Sequence, residues 1–171
     1  MLVSALGRIV RWVEIFCLAL AVIALLYMLG IVAFNVVART VFDMTGTAVN
    51  FMIPGAIEQV SYLLGIIVLA AIAVSMKVGM ISVDILVGRL PTRARNYVAR
   101  FWFFGVVALA VVVGWQFWEE AHATFSRGEE TQDLRIPMFL IYGLYSIECF
   151  ALAIVALREA LTNTGEHVEL L

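Results

Sequence analysis

The side chain best placed to do chemistry in this sequence is Glu148, a carboxyl near the middle of the apolar run 136–157. At the centre of a bilayer a charged side chain costs about 3 kcal/mol or more unless it is paired or protonated, so an acid there is a functional candidate by default. Two readings stay open for it: a proton-carrying group, or a protonated or hydrogen-bonded acid packed against another helix. A second cluster lies in the stretch 119–135, where Glu119, Glu120, Glu129, Glu130 and Asp133 accompany His122. Their spacing is not that of a calcium-binding loop, and the stretch reads as a loop with a solvated acidic face. Cys17 and Cys149 both fall inside apolar runs, where cysteine behaves as a small buried hydrophobe. They suggest neither a disulfide framework nor a metal site. A Gly-x-Ser-x-Gly elbow, a phosphate-binding glycine loop and paired metal-binding cysteines are absent from the sequence, so no enzyme chemistry and no cofactor is expected in this chain.

The elements that must position these residues are set by the solvent. The chain is 64% hydrophobic and 14% charged, with a mean hydropathy of +1.03, far from the roughly 25% charged residues of soluble domains. It reads as a single integral membrane domain, and 171 residues are nearly consumed by four spans of about 20 residues each with their connections. The spans are expected at 13–37, 56–76, 97–118 and 136–157. Arg8 and Arg11 precede the first, a pattern that also opens a signal peptide. The apolar run here is longer than a signal sequence uses and no small-x-small site closes it, which predicts a retained span. Glu14, beside Trp12, is expected at the interface.

Asn35 and Arg39 close the first span four residues apart, hence on one helical face. They either address one neighbour together, or Arg39 simply snorkels to the interface. Asp43 to Thr47 carries turn chemistry, and 51–55 reads as an apolar surface loop with Pro54 near the next helix start. Glu58 in the first turns of span two is favoured by the helix dipole. It also lies at the same end as Arg39, so an ion pair between them, or of each with a partner subunit, is expected.

The central stretch 77–100 holds Lys77, Arg89, Arg93, Arg95 and Arg100 against one acid, Asp84. Val83, Leu86, Val87 and Leu90 repeat at helical spacing, which predicts an amphipathic helix lying in the membrane interface. Pro91 should stop it and Thr92 cap the helix that follows. Basic residues beside a span serve topology and anionic lipid rather than nucleic acid. In span three, Ala110 and Gly114 are spaced for close helix contact. Eight of the eleven Lys and Arg fall in the N-terminal, central and C-terminal segments, the last being Arg158, and three in the other two connections. That bias predicts both termini in the cytoplasm. The fold class is therefore an all-α membrane protein, with four transmembrane helices and an interfacial helix between spans two and three.

Several short runs, taken in order, resemble the small four-helix membrane subunit of tripartite ATP-independent periplasmic (TRAP) transporters. They are Asn35-x-x-x-Arg39-x-x-Phe42 followed by Glu58, then Ile81-Ser82-Val83-Asp84-Ile85-Leu86 with Leu90-Pro91, then Leu134-Arg135-Ile136-Pro137 with Tyr142 beyond. The sequence departs from the pattern at Met80, where many members have histidine, and at Glu148, where the family usually has a small residue. The resemblance implies an inner-membrane subunit of a bacterium that carries no substrate alone. A periplasmic binding protein would deliver an organic acid to a large membrane subunit holding the substrate and sodium sites, and the small subunit would scaffold it. On that reading Asn35, Arg39, Glu58, Asp84 and Glu148 are candidates for the partner-subunit interface, and Arg127 and Arg135 for docking of the binding protein. Three rivals differ in class. A proton-coupled drug exporter would use a lone membrane carboxylate, but such proteins are shorter and carry it in the first span. A haem anchor would need histidines within the spans, whereas His122 and His167 lie outside them. The third is an accessory subunit of another membrane complex.

Overall fold

The computed structural model describes residues 2–46, 51–76 and 91–162. Among these residues lie four helices, α1 (Leu2–Met44), α2 (Ala56–Ser75), α3 (Thr92–Arg127) and α4 (Met138–Thr162). All four are long and apolar enough to cross a membrane, as the hydropathy requires. The expected interfacial helix over 83–90, with Lys77, Met80, Asp84 and Arg89 around it, lies outside the described residues.

The first helix is much longer than its predicted span. Its 43 residues correspond to about 65 Å, against a hydrocarbon core of about 30 Å. Arg8 and Arg11 end the apolar run, yet arginine is a good helix former, so charge limits the membrane segment without ending the helix. One stripe holds α1 to its neighbours: Val10, Cys17, Ala24, Ile31 and Ala38 recur every seven residues and none is more than 5% exposed. Four positions after each lie the half-buried Glu14, Ala21, Met28, Asn35 and Phe42. A strict seven-residue repeat of this kind keeps one seam facing its partner, as in left-handed helix packing. The small side chains of Cys17, Ala24 and Ala38 let the neighbouring backbone come close. Glu14, expected at the interface, stands half-buried on this inner seam. The helix stops where the turn residues are: the Thr45 N–H and hydroxyl both donate to Val41 O, at 2.9 and 2.8 Å, and Gly46 turns left-handed with φ 59°.

The third helix also outruns its predicted limits. Pro91 occupies the N-cap position without a side-chain cap, so Thr92 is the first helical residue rather than the cap, and Arg93, Arg95 and Arg100 belong to the helix. At its far end the chain stays helical to Arg127, placing Glu119, Glu120 and His122 on a helix instead of in the expected loop. Hydropathy marks only where the apolar run ends. Ala121 and Thr124 are buried on the inner side of this polar extension, which is enough to keep it wound. Gly128 then adopts φ 64°, and its N–H and that of Glu129 donate to Phe125 O and Thr124 O, the left-handed stop that glycine favours at a helix C-terminus.

The last helix is the centre of the molecule. α3 packs along one side of α4, and the α1–α2 hairpin packs on the other. The core where they meet consists of Cys17, Ala70, Ala73, Ala110, Leu152 and Ala153. The expected close approach at Ala110 and Gly114 is formed: Ala110 is buried, and the Ser146 hydroxyl donates to Gly114 O at 2.8 Å. A Cβ at Gly114 would lie 3.1 Å from the Cβ of Cys149. Gly114→Ala is therefore expected to destabilise the α3–α4 pair by about 1 kcal/mol, although alanine is the better helix former. A melting series in detergent, with the open Gly105 changed to alanine as control, checks the sign.

Candidate functional site

Among the described residues, polar side chains with hydrogen-bond partners cluster at one end of the bundle, around the connection from α3 to α4. Residues 128–137 form a small self-bonded loop. Thr131 N–H donates to Ile136 O at 2.9 Å, Arg135 N–H to Thr131 O at 3.2 Å and Met138 N–H to Glu129 O at 3.0 Å. The Thr131 hydroxyl accepts from Ile136 N–H at 3.0 Å. An isolated antiparallel bridge joins Glu130 and Pro137. Closing so tight a loop puts Arg135 at φ 53°, a left-handed conformation that costs a non-glycine residue about 1–2 kcal/mol.

This loop is fastened to the first turn of α2 by Glu58. Its carboxylate accepts the backbone N–H of Gln132 at 2.9 Å and of Asp133 at 3.0 Å. The contact is close because Gly55, at φ 68°, leads into α2 with no side chain: a Cβ there would stand 2.9 Å from the Asp133 Cβ and 3.0 Å from the Leu134 Cγ. The expected Arg39–Glu58 ion pair is not formed among the described residues. Glu58 is spent on the loop, and Arg39 is exposed. Two backbone donors held in a fixed turn offer a carboxylate a better-ordered partner than a long side chain on a neighbouring helix.

Asn35 has a comparable task. Its Oδ1 accepts the Ile53 N–H at 3.0 Å, holding the returning segment 51–55 against α1. The two residues that spacing placed on one face thus divide: Asn35 works within the chain, and Arg39 is left facing outward. Beneath the loop, Tyr27, Glu58, Tyr62, Ile66, Leu134 and Ile141 line a cleft of about 340 Å³, at whose rim the Tyr27 hydroxyl donates to Gln59 Oε1 at 3.0 Å.

The acidic face is partly neutralised from within. Arg127 pairs with Glu120 at 2.8 Å and with Glu129, and the Trp115 indole donates to Glu119 at 2.8 Å. These are exposed pairs, which order a surface more than they stabilise it. Of the two docking candidates, Arg135 is the one whose side chain stands exposed without an ion pair among the described residues. No group of three His, Cys, Asp or Glu side chains converges among the described residues.

Glu148 lies deep in α4 and is 1% exposed. Both of its carboxyl oxygens are enclosed without a hydrogen-bond partner. Both sequence readings, a proton-carrying group and an acid packed against another helix, stay open, and no hydrogen bond to the carboxyl is formed among the described residues. One turn before it, the Tyr145 hydroxyl donates to Tyr62 O at 2.9 Å, against Gly65, where a Cβ would collide with the Tyr145 hydroxyl and ring. Sequence reasoning did not single out Gly65, Tyr145 or Thr131. A glycine inside an apolar run was the one available signal, and for Gly65 it carried no indication of what would approach.

The sequence matches the family described as "Tripartite ATP-independent periplasmic transporters, DctQ component" over residues 28–165. That range takes in α2, α3, the docked loop, all of α4 and the second part of α1, with Asn35, Arg39, Glu58 and Glu148 inside it. No similar curated protein and no similar solved structure was found. The match covers most of the chain and agrees with its four apolar helices, so this protein belongs to the DctQ component family, the small membrane subunits of TRAP transporters.

Proposed function

We propose that this chain scaffolds the large membrane subunit of its transporter, and that the assembly takes up an organic acid, coupled to sodium, from a periplasmic binding protein. The observation that carries the reading is the family match over residues 28–165. The physical support is a surface built for contact inside the membrane. Leu26, Leu29 and Val36 on α1 and Phe101, Trp102 and Leu109 on α3 are all more than half exposed, and α3 is partnered mainly by α4. Surfaces of this kind are covered by lipid or by another apolar protein. Inside the bundle, Glu148 is the one buried charged residue among those described, which leaves little from which to line a substrate path. Substrate and sodium then bind in the large subunit.

In this reading both termini and the 77–90 segment face the cytoplasm, as the distribution of Lys and Arg favours, with Asp84 contributing to the assembly there. The docked loop, with Arg127 and Arg135, faces the periplasm of a bacterial inner membrane and meets the binding protein. Asn35 and Glu58 serve the partner interface indirectly, by fixing the two segments that present Arg39 and the loop. Purification of the tagged chain from its native membrane in mild detergent tests the proposal. A much larger, many-span protein in roughly equal amount is the expected companion. Recovery of this chain alone, as a homodimer active in reconstituted proton-coupled efflux, would overturn the reading.

A further inference from the structure

The two hairpins of this protein, α1–α2 and α3–α4, meet along one face of α4, and the order of contacts down that face is informative. At the top, Glu58 of α2 holds the loop that precedes α4. Next, Tyr145 of α4 donates to Tyr62 O of α2. At the bottom, Leu152 and Ala153 of α4 join Cys17 of α1 and Ala70 and Ala73 of α2 in the core. Residues 145, 148 and 152 are spaced three and four apart and share a helix face. Glu148 therefore sits between the tyrosine contact and the alanine core, in the junction of α1, α2 and α4.

Among the described residues, the junction holds no cation and no hydrogen-bond donor engaged with a negative charge at Glu148. Both oxygens of Glu148 are buried and unpartnered, and among the described residues no Lys or Arg pairs with it. The titratable groups around it are Cys17 of α1 with Glu14 one turn away, and Tyr145 and Cys149 of α4 itself, with Tyr62 of α2 beyond Tyr145. From α3 the described neighbours at this level are Ala110 and Gly114, which carry no charge. Every one of these groups is neutral or acidic. A neutral carboxylic acid can be packed among carbon atoms at moderate cost, whereas an unpaired carboxylate in the same place cannot.

We propose that Glu148 is a proton-binding site inside the membrane that latches the two hairpins together. With the proton bound, α4 seats against α1 and α2. When the proton leaves, the carboxylate must reach water or a cation, and it can do so only if the junction opens. Packing of the hairpins is then linked to proton binding and is favoured at lower pH. The ligand is the proton itself: two oxygens among apolar side chains are too few to replace the six or so oxygen ligands of a hard cation. This inference concerns the subunit's own packing and stands independently of its role in transport.

The chain contains its own reporters. Cys17 and Cys149 flank the site from α1 and α4, and both are free and buried. In the purified full-length protein, alkylation of these thiols by a membrane-permeant maleimide is followed between about pH 6 and about pH 9, with E148Q as control for the ordinary ionisation of thiols. The expected result is a rate that rises at least about tenfold more in the wild type than in E148Q over that range, with E148Q packed at every pH. Equal pH profiles in the two proteins would overturn the proposal. Should E148Q fail to fold, infrared spectroscopy of the unmutated protein decides. The carbonyl band of a neutral, non-hydrogen-bonded acid is expected at low pH and should fade in step with the rise in thiol reactivity. A band that is absent at low pH, or that fades without any change at the thiols, would also overturn it.

Discussion

Gly65→Val is expected to destabilise the protein by about 3 kcal/mol, from overpacking of about 2 and a lost hydrogen bond of about 1. The position lies in the middle of α2, where replacing glycine would ordinarily help, because glycine is the weaker helix former. Here a side chain at residue 65 runs into the Tyr145 ring, whose hydroxyl is fixed on Tyr62 O. Tyr145 cannot simply swing aside, since the ring of Phe117 of α3 packs against it at a tilt, with centroids 5.4 Å apart. The hairpins must separate or the tyrosine must leave. Thermal unfolding in detergent measures the loss. Tyr145→Phe alone should cost only about 1 kcal/mol, because Tyr62 O keeps its helical partner. Tyr145→Ala combined with Gly65→Val should recover part of the deficit, giving a coupling of about 1–2 kcal/mol between residues in direct contact. Additive losses would mean that the two helices do not meet at this point.

Glu58→Ala should release the 128–137 loop. Two backbone donors, Gln132 N–H and Asp133 N–H, lose the acceptor that now holds them at 2.9 and 3.0 Å, and the first turn of α2 loses an anion favoured by its dipole. Hydrogen bonds to a charged acceptor contribute about 1.5–3 kcal/mol when buried. At this partly exposed site about 2 kcal/mol for the pair is the reasonable figure. Amide exchange at residues 132 and 133 is then expected to accelerate about 30-fold, with the α3–α4 contact around Gly114 unchanged. Glu58→Gln retains one acceptor and should lie between. Arg39→Ala should leave these amides untouched. Acceleration by Arg39→Ala equal to that of Glu58→Ala would restore the ion pair that the structure replaces.

What the sequence made legible, and what it did not, follows from the range of each interaction. Four spans, the small pair at Ala110 and Gly114, the turn at Gly46 and the depth of Glu148 are all encoded within a few residues, by hydropathy, volume or turn chemistry. The partner of Glu58 is a backbone turn 74 residues downstream, and no side-chain type advertises a free N–H. Arg39, by contrast, is conspicuous and close in sequence, so it drew an assignment that belongs to the loop. The C-terminal end of α3 was misplaced for a different reason, and α1 likewise begins well before its apolar run. Hydropathy reports where lipid stops, and a polar helix with a buried inner side, such as residues 119–127, continues regardless. The seven-residue stripe of α1 was present in the sequence throughout. Its members range from Cys17 and Ala24 to Ile31, and a stripe of small residues in an apolar helix has almost no contrast with its surroundings.

The placement of α4 has a consequence for how this subunit is made. Of the four helices, the one that the others lean on is synthesised after them. During synthesis the α1–α2 pair can associate as soon as it is inserted, whereas α3 has to wait in the bilayer with its Gly114 face bare until Ser146 and Cys149 arrive. Every chain therefore passes through a three-helix stage in which the eventual centre is missing, and the emergence of α4 converts it into the four-helix bundle. A chain stopped between residues 128 and 137 would hold the α1–α2 hairpin and α3 with nothing between them.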